Sequence, residues 1–439
     1  MSEILNKIQK FLLSLLIVCL PFQINTLIYQ SDWGGGIFNP YTSINLTFTE
    51  VLLYLVTIFF LISSYLEKKK ITYGEKSFFL VLLIIISTFL LSLLNSDFND
   101  AKLKLLLSIK LFDILIFYIL IVNKILAIKE LITVLVFSMG FQAIIGILQF
   151  SLQSDLNLTF LGENILNKFN PQVAKFYYQE TAILRSYGTF PHPNIFGAYL
   201  LISILLLLVI WKELKIYKKY PLLFLILTAI LLTFSRSTIL ASLISLFVLL
   251  YWYLNELKIK NRLRFLIIFG LLLSQILFLW TYRILSTFTD NSISERLEGY
   301  KDAISIFLKY PTGVGFNLST QYLDISTLKN YLPWEYQPPH NIYLLILAET
   351  GFIGSLVFIF SVFFVIHKIT LKRKKLLDTS QTINWRIFLC IFLSLLIISF
   401  FDHYLITLEQ GRYLSVICYA IFAIFYSKKK NIVAIKKEG

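Results

Sequence analysis

Charge is scarce in this sequence. Only 15% of its 439 residues are Asp, Glu, Lys or Arg, against about a quarter in a soluble globular chain, which excludes a cytosolic enzyme. Cysteine is nearly absent. Cys19, Cys390 and Cys418 all lie inside apolar blocks with no Cys-x-x-Cys spacing, which excludes a disulfide-built secreted domain and a thiolate metal site. Acidic residues number 25 against 40 Lys and Arg, and only four histidines are present. There is no internal repeat, no low-complexity linker and no soluble domain. No Asp-x-Asp pair occurs in a predicted outer loop, and the spacing of Asp97 and Asp100 does not make a divalent-metal site. What is abundant is apolar: 57% of the chain, gathered in blocks such as 77–94 and 341–366 that are long enough to cross a hydrocarbon layer. The composition is that of a polytopic membrane protein.

Apolar blocks fall at about 11–29, 48–66, 77–94, 105–123, 131–151, 192–211, 221–234, 237–254, 265–282, 341–366, 387–401 and 412–427. They predict twelve spans, the seventh short for a full crossing, in a single integral-membrane domain over 1–439. The first block has no small-residue cleavage site behind it and reads as a span, not a removed signal peptide. With the N-terminus inside, 27 of the 40 Lys and Arg fall in the inner segments. Lys68-Lys69-Lys70, Lys372-Arg373-Lys374-Lys375 and Lys428-Lys429-Lys430 are the densest runs. This positive-inside bias predicts both termini in the cytoplasm and explains the net charge of +15 without a nucleic-acid partner. Inner loops are short. Two outer segments are long, 152–190 and 283–340, and the second holds an amphipathic stretch, Arg296 to Lys309. There Leu297, Tyr300, Ile304, Phe307 and Leu308 share a face suited to the outer membrane–water interface.

His192, His340 and His403 sit on the outer side, each where a loop meets a span. In Arg185-Ser-Tyr-Gly-Thr-Phe-Pro-His-Pro-Asn194 the two prolines predict a helix start near Pro193. His192 there is equally a capping residue or part of an anion site at the helix N-terminus. Thr233-Phe-Ser-Arg-Ser237 is a polar break between two apolar blocks. Arginine near a bilayer must pair, snorkel or bind something, and Arg236 reads as a phosphate ligand in preference to an interfacial anchor. Arg296 opens the amphipathic stretch and, taken alone, reads as the wet face of a solvated helix in preference to a ligand. Gly313-Val-Gly315 follows no strand, so it marks a tight turn beside a ligand or a packed helix and not a dinucleotide fingerprint. His340 ends the longest outer loop and, with an imidazole suited to proton transfer near neutrality, is the candidate to deprotonate a hydroxyl. Glu349 lies about two and a half turns deeper and reads as a buried structural partner. Asp402 could orient a histidine or pair with an arginine, although charge at a short loop explains it equally.

Together these clusters resemble the O-antigen ligase and polymerase family of bacterial envelope enzymes. The matching pieces are Gly188-Thr-Phe-Pro-His-Pro-Asn-Ile-Phe-Gly197, Phe234-Ser-Arg-Ser237, Arg296 ahead of Pro311-Thr-Gly-Val-Gly315, and His340-Asn-Ile-Tyr-Leu with Glu349-Thr-Gly-Phe-Ile-Gly354. They run in the family's order over about 185–354. The resemblance implies an all-α polytopic glycosyltransferase of the GT-C-like class, with short amphipathic helices in a long periplasmic loop. It would lie in the bacterial inner membrane with its active site facing the periplasm. It implies a glycan donor on undecaprenyl diphosphate and an acceptor hydroxyl on lipid A–core, on another repeat unit or on protein, and membrane lipid as the third partner. The family's essential arginines map onto Arg236 and Arg296, and its histidine onto His340. Arg185, His192, Asn194, Asn341, Asp402 and His403 are then expected to hold substrate, with no cofactor and no metal. The rival class is a lipid-linked glycan transporter, but transporters tend to show two related halves and midplane binding groups, whereas here the polar residues gather at one face.

Overall fold

The computed structural model describes residues 2–31, 41–178, 181–256, 292–323, 337–373 and 379–427. The described residues are mostly helical. In chain order they form α1 (Ser2–Cys19), β1 (Asn25–Gln30), β2 (Ser43–Thr47), α2 (Phe48–Leu66), α3 (Lys76–Leu94), α4 (Ala101–Val122), α5 (Ile128–Leu152), β3 (Lys175–Tyr178), β4 (Thr181–Leu184), α6 (Pro193–Val209), α7 (Ile216–Leu232) and α8 (Arg236–Glu256). There follow α9 (Ser292–Lys309), α10 (Ile342–Arg373), α11 (Thr379–Ser399), α12 (Tyr404–Thr407) and α13 (Glu409–Ser427). Five of these helices are long and apolar enough to cross a membrane: α2, α3, α4, α5 and α10. Shorter apolar stretches lie at Pro193–Val209, Arg236–Trp252 and Asn384–Ser399.

Two sequence expectations change. The first apolar block is not one helix over 11–29. α1 begins at Ser2 and ends at Cys19; Pro21 follows, and the chain turns into β1. Proline supplies no N–H to continue the ladder, and the β-branched and aromatic content of the next residues suits a strand. The chain is also not purely helical, because β1–β2 and β3–β4 form two antiparallel hairpins. The second lies within the outer segment 152–190. The ninth block, 265–282, the basic stretch after α8, Lys374 and Lys375, and the C-terminal lysines lie outside the described residues.

Within the expected membrane domain the chain gathers into two compact units, Met1–Ser138 with Glu298–Thr382 and Ser399–Gly439, and Met139–Leu297 with Ile383–Ile398. In the first unit α1 packs on α2, α3 on α10, and α4 on α13, around buried side chains that include Leu16, Val56, Leu111 and Phe117. In the second, α6 is buried along nearly its whole length and α7 and α8 pack against it. An almost uniformly apolar helix has this environment as its stable solution, since no face of it prefers water.

The starts of several helices are built by capping. Thr47 and Glu50 form a reciprocal capping box at α2, with Glu50 N–H donating to Thr47 Oγ1 at 3.2 Å and Thr47 N–H to Glu50 Oε2 at 3.0 Å. Asp100 caps α4 through Leu103 N–H at 2.9 Å and also accepts from Tyr29 at 2.7 Å and Ser31 at 2.9 Å. Burial alone would push the Asp100 carboxyl up; those hydrogen bonds and the Lys102 N–H outweigh it and hold it below the usual range. Its oxygens serve helix capping and the β1 contact.

Candidate functional site

The residues of the first unit that carry the site converge from two places in the chain. His340 ends the segment before α10, while Asp402 and His403 lie between α11 and α12. His340 Nδ1 is 3.4 Å from Asp402 Oδ1, a long hydrogen bond of the kind that tightens when substrate binds. The two side chains are 28% and 6% exposed. Asp402 Oδ1 also accepts His403 N–H at 2.9 Å, so the carboxylate is held before it meets His340. The ring centroids of His340 and His403 are 5.1 Å apart. His403 is anchored by Nδ1 to Thr407 Oγ1 at 2.7 Å and takes the edge of Tyr41 at 5.5 Å. With Nδ1–H directed to Asp402, the His340 lone pair is on Nε2, as a proton acceptor requires. One donor atom from each of His340, Asp402 and His403 lies within 4.8 Å of the others, so the same trio has the spacing of a metal-ligand set.

Neighbouring elements brace His340. Tyr300 of α9 donates to the His340 carbonyl at 3.2 Å. Asn341 caps α10, its Oδ1 accepting Tyr343 and Leu344 N–H at 2.9 and 3.1 Å, while Nδ2 reaches the Phe400 carbonyl at 3.4 Å. A small cleft, with room for about one water molecule, ends one residue short of His340, lined among others by Asp302, Ser319, Thr320, Gln337 and Pro338. Burial, and next the neighbouring Glu298, push the Asp302 carboxyl up.

The Pro311–Gly315 and Glu349–Gly354 motifs interlock. Val314 N–H donates to the Ala348 carbonyl at 3.0 Å, Gly315 N–H to Glu349 at 2.9 Å, and Phe352 N–H to Pro311 at 3.1 Å. α10 is broken at Gly351, where φ is 66° and ψ −165°. A Cβ on Gly351 would lie 2.3 Å from the Pro311 carbonyl oxygen, and one on Gly313 would lie 2.5 Å from that of Glu349. The glycines are there for a packed helix, one of the two readings the sequence offers. Glu349 is buried and accepts from Ser319 Oγ at 2.8 Å, the structural role expected of it. On α9, Ala303 and Ile306 pack against Val314 and Ala348, whereas Leu297, Ile304 and Leu308 are exposed, leaving the predicted apolar stripe on the outside of the helix.

The second unit holds the other basic residues. Arg185 is buried; Nε donates to the Thr233 carbonyl and Nη2 to Asn194 Oδ1, each at 2.7 Å. It thereby clamps the end of α7 to the start of α6. His192 caps α6 by accepting Asn194 N–H on Nδ1 at 3.1 Å, with Pro193 in the first turn, the arrangement the two prolines predict. Arg236 is the half-buried first residue of α8, at a helix N-terminus suited to anions. Arg296 lies half-buried near the start of α9.

Sequence reasoning missed the glutamines that hold the 185–192 segment. Gln149 of α5 donates to Glu163 at 2.6 Å and the Gly188 carbonyl at 2.8 Å, and accepts Tyr187 and Gly188 N–H at 3.2 and 2.9 Å. Gln142 accepts from Thr189 N–H and Oγ1 at 2.9 and 3.1 Å. Their signal was present: amides inside an apolar helix must find partners. Tyr41 and Thr407, which support His403, carried no such signal.

Five helices able to span a bilayer in a mostly helical chain point to a multi-pass membrane protein, with a polar His–Asp–His cluster where a loop meets a helix. Residues 221–359 match the family model described as O-Antigen ligase. That is the family the motifs resemble, and the matched segment contains Arg236, Arg296, His340 and Asn341. No curated protein matches the chain.

Proposed function

We propose that this protein is an inner-membrane O-antigen ligase with twelve spans, a GT-C-like frame, both termini in the cytoplasm and its site open to the periplasm. It transfers a glycan from undecaprenyl diphosphate to a hydroxyl of lipid A–core. The observation that carries the reading is the Asp402-oriented His340 inside the family-matched segment. The acceptor O–H bond breaks and its proton moves to His340 Nε2. The acceptor oxygen forms a bond to the anomeric carbon from the face opposite the leaving group, and the bond from that carbon to the phosphate oxygen breaks with its electron pair on the diphosphate. One displacement inverts the anomeric centre. Arg236 and Arg296 enter through the family resemblance, as cations that meet the negative charge developing on the diphosphate. Arg185, His192 and Asn194 support sugar or phosphate binding, and Asn341 and His403 support His340. The chemistry is metal-independent and uses no cofactor. Repeat-unit polymerase and protein oligosaccharyltransferase chemistry share every one of these steps and differ in the acceptor.

The test is deletion of the gene, complementation with wild type or His340→Ala, and gel analysis of surface glycan with and without a chelator. Loss of long glycan from the lipid core, with polymer retained on undecaprenyl diphosphate and no rescue by His340→Ala, is expected. Core bearing one repeat unit would mean polymerase. Full rescue by His340→Ala would remove the histidine from the mechanism. Loss of in vitro transfer under chelation, restored by a divalent ion, would reassign the His–Asp–His trio to a metal.

A further inference from the structure

Away from His340, α2, α4 and α13 bring together charged side chains that the transfer chemistry does not use. Glu50 of α2 is 1% exposed and pairs with Lys110 of α4, whose ammonium also donates to the Asn45 carbonyl at 2.6 Å. One turn further along α4, Asp113 is 2% exposed and accepts from the Tyr54 hydroxyl through Oδ2 at 3.1 Å. Glu409 at the start of α13 accepts from Thr47 and Thr49. Arg412, one turn into α13, donates to the Ile406 and Thr407 carbonyls at 3.4 and 3.5 Å. Electrostatic interactions join Asp113 to Glu50, Lys110 and Arg412, and Tyr413 to Glu409, Asp113, Glu50 and Arg412.

Three carboxylates face one ammonium and one guanidinium, so the ionised cluster carries one uncompensated negative charge. Ionisable groups at membrane depth are paired or functional, because hydrocarbon solvates neither sign. Two buried oxygens also stand out. Asp113 Oδ1 and the Tyr413 hydroxyl have no hydrogen-bond partner among the described residues, although buried polar atoms are nearly always satisfied. The two lie on packed helices, the Tyr413 ring resting 4.8 Å from that of Phe117, one turn along α4 from Asp113. A single positive charge in this cluster would close the charge balance.

We propose that this cluster binds one monovalent cation, with Asp113 and the Tyr413 hydroxyl as its ligands. The occupant is an alkali ion: a proton on Asp113 would leave the Tyr413 hydroxyl without a partner, because the two groups do not hydrogen-bond to each other. The site stands independently of the transfer reaction. Its nearest link to that reaction is through α12, since Arg412 holds the Thr407 carbonyl while the Thr407 hydroxyl holds His403.

The experiment is thermal unfolding of the full-length protein in detergent, at constant ionic strength, in NaCl, KCl or choline chloride and across pH. The Tm is expected to rise with the concentration of one alkali ion and not with choline. Asp113→Asn should abolish that rise and leave the variant at least as stable as wild type in choline. Tyr413→Phe, which deletes only a hydroxyl, should shift the half-saturating concentration up by about tenfold, the loss of one bond to a charged group. Equal Tm in all three salts would overturn the site, whether or not the Tm still depends on pH through Asp113, since a carboxyl that only titrates holds no metal cation. Should Asp113→Asn fail to fold, Tyr413→Phe decides: an unchanged half-saturating concentration would remove the hydroxyl as a ligand and overturn the site as proposed.

Discussion

At the scale of single residues, His340 and Asp402 lie 62 positions apart in sequence, and only their meeting turns a loop histidine into an oriented base. In the proposed reaction Asp402 acts through His340, by fixing its tautomer. Asp402→Asn is therefore expected to lower kcat by about 100-fold with little change in KM, measured with a labelled lipid-linked donor. A fall in KM-dependent terms alone would make Asp402 a substrate ligand. Both histidines and the aspartate were readable as candidates because polar residues are rare in this chain. Asn341 and Asn194 were readable too, but their side-chain oxygens serve a helix cap and the Arg185 clamp respectively, roles that depend on hydrogen-bond partners and not on residue type.

Among the elements, the interlock of Pro311–Gly315 with the break in α10 bears directly on the site, because α10 starts two residues after His340. Gly351 occupies backbone space open almost only to glycine, and an added methyl would strike the Pro311 carbonyl. Gly351→Ala is expected to cost at least about 2 kcal/mol, read as a lowered Tm in detergent; an unchanged Tm would mean the break is not structural. The helices α2, α3, α4, α5 and α10 were legible as apolar runs, since hydropathy is a property of contiguous sequence. α1 was not, because its polar first turns mask its start and Leu27, Ile28 and Tyr29 of β1 extend the apolar block past Pro21. The two hairpins were missed because their strands are too short for an alternating pattern to stand out, and β2, β3 and β4 lie in segments that read as outer loops.

For the molecule as a whole, charge asymmetry makes a prediction that composition alone carries. Reporter fusions after Lys10, within 367–386 and at the C-terminus should all report cytoplasm, and fusions within 152–190 and 292–309 the periplasm; a periplasmic C-terminus would change the number of spans. The sequence by itself pointed to a multi-pass membrane protein, to the long apolar helices α2, α3, α4, α5 and α10 and to the family its motifs resemble, because hydrophobicity and short motifs are local and survive without coordinates. Tertiary structure decided which polar groups meet. Thr47 and Glu409 are 362 residues apart, Glu50 and Lys110 are 60 apart, and nothing in the local sequence around either member of a pair names the other. In an apolar interior each buried charge must find a partner, but which partner it finds is settled by how helices pack.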